Sequence, residues 1–189
     1  AEALDVLLEA RWKNPQASDS TMLELAGREM RIREKAQGID HPALARSLTR
    51  LGRLYWARGD LHAAQSAFER SVAISEKAAR GIDDPGLALS LAFLANIHFT
   101  NREYDEARPL ADRALRILEV NPDADPEDLF RALGTVANLR TVDGDYAGAQ
   151  ALWERALTAR GEGRVDDSLA LWATNELGRV KFYAGDWPG

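Results

Sequence analysis

An all-α repeat fold, a right-handed solenoid of antiparallel helix pairs, is what this sequence predicts, and three observations predict it. The octapeptide GIDHPALA at 38–45 returns as GIDDPGLA at 81–88, a fixed spacing of 43 residues, and self-similarity at such a period marks a repeat architecture. Apolar residues recur at i, i+4 and i+7, as in Leu44, Leu48 and Leu51 and again in Leu87, Leu91 and Leu94, the signature of an amphipathic helix. No segment alternates with the period of 2 that a half-buried strand requires.

The register extends along the chain. Residues 44–72 align with 87–115, and a further shift of 42 brings Leu91, Leu94, Ala95, Tyr104, Ala107 and Ala114 onto Leu133, Val136, Ala137, Tyr146, Ala149 and Ala156. A shift of 41 then places Val136, Ala137, Gly144 and Asp145 on Leu177, Gly178, Gly185 and Asp186. The expected division is a partial copy over 1–40, copies at 41–83, 84–124 and 125–165, and a truncated one at 166–189.

Each copy carries two helices. The first begins at an Asp-Pro pair, Asp84-Pro85 or Asp125-Pro126, because aspartate caps the first amides and proline fits the first turn. It ends at a glycine turn, RGD at 58–60 or DGD at 143–145. The second starts at Leu61, Tyr104 or Tyr146. In the partial copy, STMLELAGREMRIREKAQ (20–37) matches a second helix and ALDVLLEARWK (3–13) its first. At the other end AGDW resembles the turn that opens a second helix, so the natural protein is expected to continue. Small residues hold one place in the first helices (Gly52, Ala95, Ala137, Gly178) and another in the second (Ala64, Ala107, Ala149), where only a small side chain lets helix axes approach closely. Phe68 and Trp153 are expected to fill the space between one pair and the next.

Composition narrows the function classes. The chain has 189 residues, a net charge of −6 and no cysteine, which removes disulfides, thiolate metal sites and a cysteine nucleophile. His41, His62 and His98 fall at no metal-ligand spacing. The acidic balance argues against nucleic acid and anionic membranes as partners, and no apolar run nears the ~20 residues of a membrane span. GEGR (161–164) lacks the GK[ST] and strand of a phosphate loop. Asp123, Asp125, Glu127 and Asp128 lack EF-hand spacing and suit a helix start. The RGD at 58–60 is explained by its turn. No catalytic residue, cofactor or metal is expected.

The order large–x–x–large–small–x–x–aromatic, followed by alanines, resembles the tetratricopeptide repeat; the small-residue places and the GD turn favour it over HEAT repeats. The 41–43-residue period, the GIDHPALA loop and YDEARPLADRALRILE (104–119) are similar to kinesin light chain repeats over about 18–187. The resemblance implies a non-catalytic interaction scaffold whose first helices line a concave groove. Places two, five, six and nine of each copy would face a ligand: Arg46, Thr49, Arg50 and Arg53; Leu89, Ala92, Phe93 and Asn96; Arg131, Gly134, Thr135 and Asn138; Trp172, Asn175, Glu176 and Arg179. Where kinesin light chains carry Asn-Asn at places five and six, this chain has other pairs, so a kinesin-type cargo is not implied. The expected partner is a protein or peptide segment, or another domain of the same chain. Such repeats also serve as sensor arms of bacterial kinases, STAND ATPases and CHAT proteases, which is the alternative; the Ala/Arg/Asp-rich composition fits a cytoplasmic bacterial protein.

One stripe stands out. Arg46, Arg50 and Arg53 lie at i, i+4 and i+7, a spacing at which like charges repel by a few tenths of a kcal/mol. Either Asp5 and Glu9 of the preceding helix compensate them, or an acidic partner segment or C-terminal carboxylate does.

Overall fold

A computed structural model describes residues 19–79, 85–122, 124–159 and 167–185. These residues form eight α-helices and no strand. They are α1 (Asp19–Gln37), α2 (Pro42–Ala57), α3 (Leu61–Ala79), α4 (Pro85–Thr100), α5 (Tyr104–Glu119), α6 (Pro126–Val142), α7 (Tyr146–Ala159) and α8 (Asp167–Ala184). The fold class is the expected one, all-α with helices in repeated pairs; the helix expected over 3–13 lies outside the described residues. Two compact units divide the chain, residues 1–90 and 91–189, the boundary falling within α4.

The predicted punctuation is in place with two differences. Gly38, Gly59, Gly144 and Gly185 all take positive φ, between 77° and 92°, which glycine adopts without steric penalty. In the third turn Arg102 takes φ 65° at the place of Gly59 and Gly144. Asp125 caps α6, its Oδ1 accepting from the Glu127 N–H at 2.9 Å. At α2 a histidine does that work: His41 Nδ1 accepts from the Ala43 N–H at 3.2 Å, with Pro42 in the first turn. Asp84 lies outside the described residues.

In the first unit, α1 packs on α2 through Met22, Ala26, Leu51 and Leu54, and α2 on α3 through Leu44, Ala45, Leu48 and Ile74. A Cβ built on Gly52 would stand 2.7 Å from the Phe68 ring. Phe68 therefore packs within its own helix pair. In the second unit, α5 packs on α6 through Ala107, Ala111, Val136 and Leu139. Trp153, wholly buried, anchors α6, α7 and α8. It presses on Gly134, where a Cβ would come within 2.7 Å of the indole, and meets Trp172 edge-to-face with centroids 4.9 Å apart. Gly178, expected at a close contact like Gly52, would place a Cβ within 4 Å of nothing.

Candidate partner-binding surfaces

The arginine stripe of α2 converges with the start of α4. Arg46, Thr49, Arg50, Arg53, Gly86 and Leu89 line one cavity of about 220 Å³, so the structure gathers five predicted positions on one concave wall. A second cavity of about 460 Å³, lined by His41, Pro42, Ala43, Ala45, Arg46, Ser75 and Gly86, shares Arg46 and Gly86 with the first. Arg46 is exposed and has no ion-pair partner among the described residues.

Arg50 answers the question its repulsive spacing raised. Its Nη1 stands 3.7 Å from Glu29 Oε2 on α1. Asp5 and Glu9, the expected compensating acids, lie outside the described residues; the described acid is Glu29, which is wholly buried. Its other oxygen, Oε1, accepts from Arg33 Nε one turn on and from Ser47 Oγ of α2 at 2.5 Å. A carboxylate taken out of water needs this many partners, because its desolvation is expensive. Arg50 is thus both cavity wall and counter-ion, and reversing its charge would set two carboxylates together.

Thr49 is buried and its side chain belongs to the core. Its Oγ1 sits 2.8 Å from Ser71 Oγ and 2.7 Å from Ser90 Oγ, and those two serines are 3.0 Å apart, a closed triangle of hydroxyls. Ser71 and Thr49 also both reach the Ala45 carbonyl at 2.9 Å.

In the second unit the predicted places scatter in burial. Ala92, Phe93, Gly134, Thr135 and Asn138 are buried; Asn96, Arg131, Trp172 and Glu176 are half-buried; Asn175 and Arg179 are exposed. Arg131 lies over the Phe93 ring, 5.4 Å from its centroid, and its Nη2 donates to Glu127 at 2.6 Å. Cation and ring stabilise each other there. Thr135 Oγ1 donates to the Arg131 carbonyl at 3.0 Å. Arg179 pairs with Glu176. Buried Asn138 has an Oδ1 with no donor among the described residues. So the ladder Arg53, Asn96, Asn138, Arg179 holds rungs of unlike accessibility.

Glu29 is the residue that sequence reasoning missed. A signal was present: in the repeat register it occupies the place of Ser71, Ala114 and Ala156, all wholly buried. A glutamate in a column of small buried residues predicts a paired charge. Asp125 caps a helix and Glu127 pairs with Arg131. Asp123 and the GEGR loop lie outside the described residues.

Tetratricopeptide repeat models match residues 22–77 and 87–120. These two segments carry tetratricopeptide repeats. No curated protein matches it. Among solved structures it is similar to BtubC (BKLC) from P. vanneervenii, at 24% identity, covering 98% of this chain and 73% of that one, with a TM-score of 0.73. It is also similar to a Podosopora anserina putative kinesin light chain with nearly identical repeats, in two structures. Both are 21% identical and cover 98% of this chain; they cover 86% and 87% of those chains, with TM-scores of 0.69 and 0.67. These likenesses establish the fold. Tetratricopeptide repeats are in general protein-interaction scaffolds rather than catalysts. No described helix is long and apolar enough to cross a membrane.

Proposed function

We propose that this protein holds an acidic segment of a protein partner, and that the wall of Arg46, Arg50, Arg53 and Leu89 is its recognition surface. The observation that carries the reading is that three arginines and a leucine line one cavity. Guanidinium takes carboxylates in two-point hydrogen bonds, and Leu89 offers a neighbouring apolar contact. The partner segment belongs to another protein or to another domain of the same natural chain.

Arg46 gives the cleanest test, because its reversal disturbs no ion pair described here. A fluorescein-labelled peptide of alternating Glu-Glu and Leu serves as the probe, read by anisotropy. Arg46→Glu is expected to weaken binding at least about tenfold, since like charges forced together at an interface cost several kcal/mol. Its melting temperature should stay within a degree or so of the parent, exposed charges contributing about 0–1 kcal/mol. Raising salt should weaken the parent's binding, as screening over ~8–10 Å requires. Undiminished, salt-insensitive binding by Arg46→Glu would exclude this wall as the recognition surface.

A further inference from the structure

We infer that the seam between α1 and α2 is keyed, and that Glu29 is the specificity-determining residue that admits α2 alone as the neighbour of α1. The repeat register makes four equivalent seams, each joining a second helix to the first helix of the following copy. The column on the second helices reads Glu29, Ser71, Ala114, Ala156, and the residues opposite read Ser47, Ser90, Ala132, Ala173. All eight side chains are at most 1% exposed. Along the chain the pairs therefore run Glu–Ser, Ser–Ser, Ala–Ala, Ala–Ala.

The structure shows the two polar pairs made: Glu29 with Ser47 at 2.5 Å, and Ser71 with Ser90 at 3.0 Å. A repeat chain has a difficulty that other folds do not, because every second helix is shaped to fit every first helix. Misassembly and swapping are the failures that follow. The charge on Glu29 adds a chemical discriminator among α2, α4, α6 and α8. The place of Arg50 is held by Phe93 in α4, Thr135 in α6 and Glu176 in α8. Arg33 accompanies Glu29 on α1 in every case, so the choice rests on what the facing helix adds at the places of Ser47 and Arg50: a serine and Phe93 on α4, Ala132 and Thr135 on α6. On α8 the carboxylate would face Ala173 and a second carboxylate. Only α2 presents a hydroxyl and a guanidinium together. Losing the facing partners of a buried carboxylate is penalised even with Arg33 still beside it, while exchanging a whole buried pair for apolar groups is often neutral. Glu29 thus contributes little to the strength of the seam and much to its identity. A single polar residue fixing the register of packed helices is the best-attested use of such groups.

Two variants of the full chain test this independently of the partner-binding reading. E29A/R33L/S47A transplants the Ala114, Leu118 and Ala132 set of the α5–α6 seam and removes the key. A173S/E176R copies the hydroxyl and base of α2 onto α8 and offers a second lock. Each is unfolded, refolded and followed by hydrogen exchange with mass spectrometry, reading the peptide 19–37, and by size exclusion. The expected result is a bimodal isotope envelope for 19–37 in both variants, with a loosely protected population absent from the parent, and a new oligomeric peak. For the unkeyed variant the urea midpoint of the correctly docked form should not fall. A single envelope with parental protection in both variants would overturn the inference. So would a unimodal loss of protection with a lowered midpoint, which would make Glu29 an ordinary structural contact.

Discussion

Within residues 1–90 the helices meet through a carboxylate and a triangle of hydroxyls, whereas within 91–189 the same places hold alanines and a glycine, and Trp153 stands where the first unit has Phe68. Thr49, Ser71 and Ser90 become Gly134, Ala156 and Ala173, and the volume surrendered by those small residues is taken by Trp153. Both solutions bury their seams completely. The difference lies in what each solution requires. Hydroxyls and charges need every partner in place, since a buried polar group left unsatisfied costs more than the bond contributed. The tryptophan's contribution rises with the area it removes from water, and its buried Nε1–H has no acceptor among the described residues. One unit is therefore sensitive to lost partners and the other to lost volume.

Trp153→Ala is the severest way to break the comparison. It should cost about 3–5 kcal/mol, the range for truncating a buried aromatic whose site collapses only in part. Hydrogen exchange should place the loss in α6, α7 and α8, leaving α2 and α3 protected, because repeat folds transmit energy mainly between neighbours. Equal loss in α2 and α3 would show that the two units do not differ in the way described. Next comes Glu29→Ala, which removes the carboxylate that Arg33, Ser47 and Arg50 share. A drop of about 3 kcal/mol in chemical denaturation is expected, at the low end for breaking a buried ion pair, because Arg50 keeps 21% of its side chain in water. A change below about 1 kcal/mol would mean the carboxylate is not held as seen.

Smaller still is Gly52→Ala. Its methyl meets the Phe68 ring at 2.7 Å, and overpacking costs about 1–3 kcal/mol. Alanine recovers roughly 1 kcal/mol in a helix interior, leaving a net loss of about 0–2 kcal/mol. Adding Phe68→Leu should then cost less than it does in the parent, since the two changes relieve one another. Strict additivity in that cycle would remove the ring contact as the cause.

Much of this was legible before any coordinates. The helix pairs followed from the i, i+4, i+7 spacing, and their ends from Asp125-Pro126, Gly59 and Gly144, because capping and turn chemistry are local. The small column of Gly52, Ala95 and Ala137 correctly announced close helix contacts. It failed at Gly178, where the contact requires a second helix that the described residues do not supply. Among the proposed site residues, the placing of Arg46, Arg50 and Arg53 on one face of α2 follows from helix phase alone. The burial of Thr49, Phe93 and Asn138 does not, because a place in a repeat specifies direction but not how closely the neighbouring helix approaches.

The sequence by itself determined the period, the number and ends of the helices, the absence of thiol chemistry and the basic stripe on α2. Each of these depends on residues within a turn or two of one another, or on identity at a fixed spacing. Tertiary structure alone decided that Glu29 is the acid facing that stripe, that three hydroxyls 19 to 41 residues apart close into one triangle, and that Trp153 rests on Gly134. Those contacts depend on how far apart two helix axes settle, and that distance is set jointly by every side chain between them.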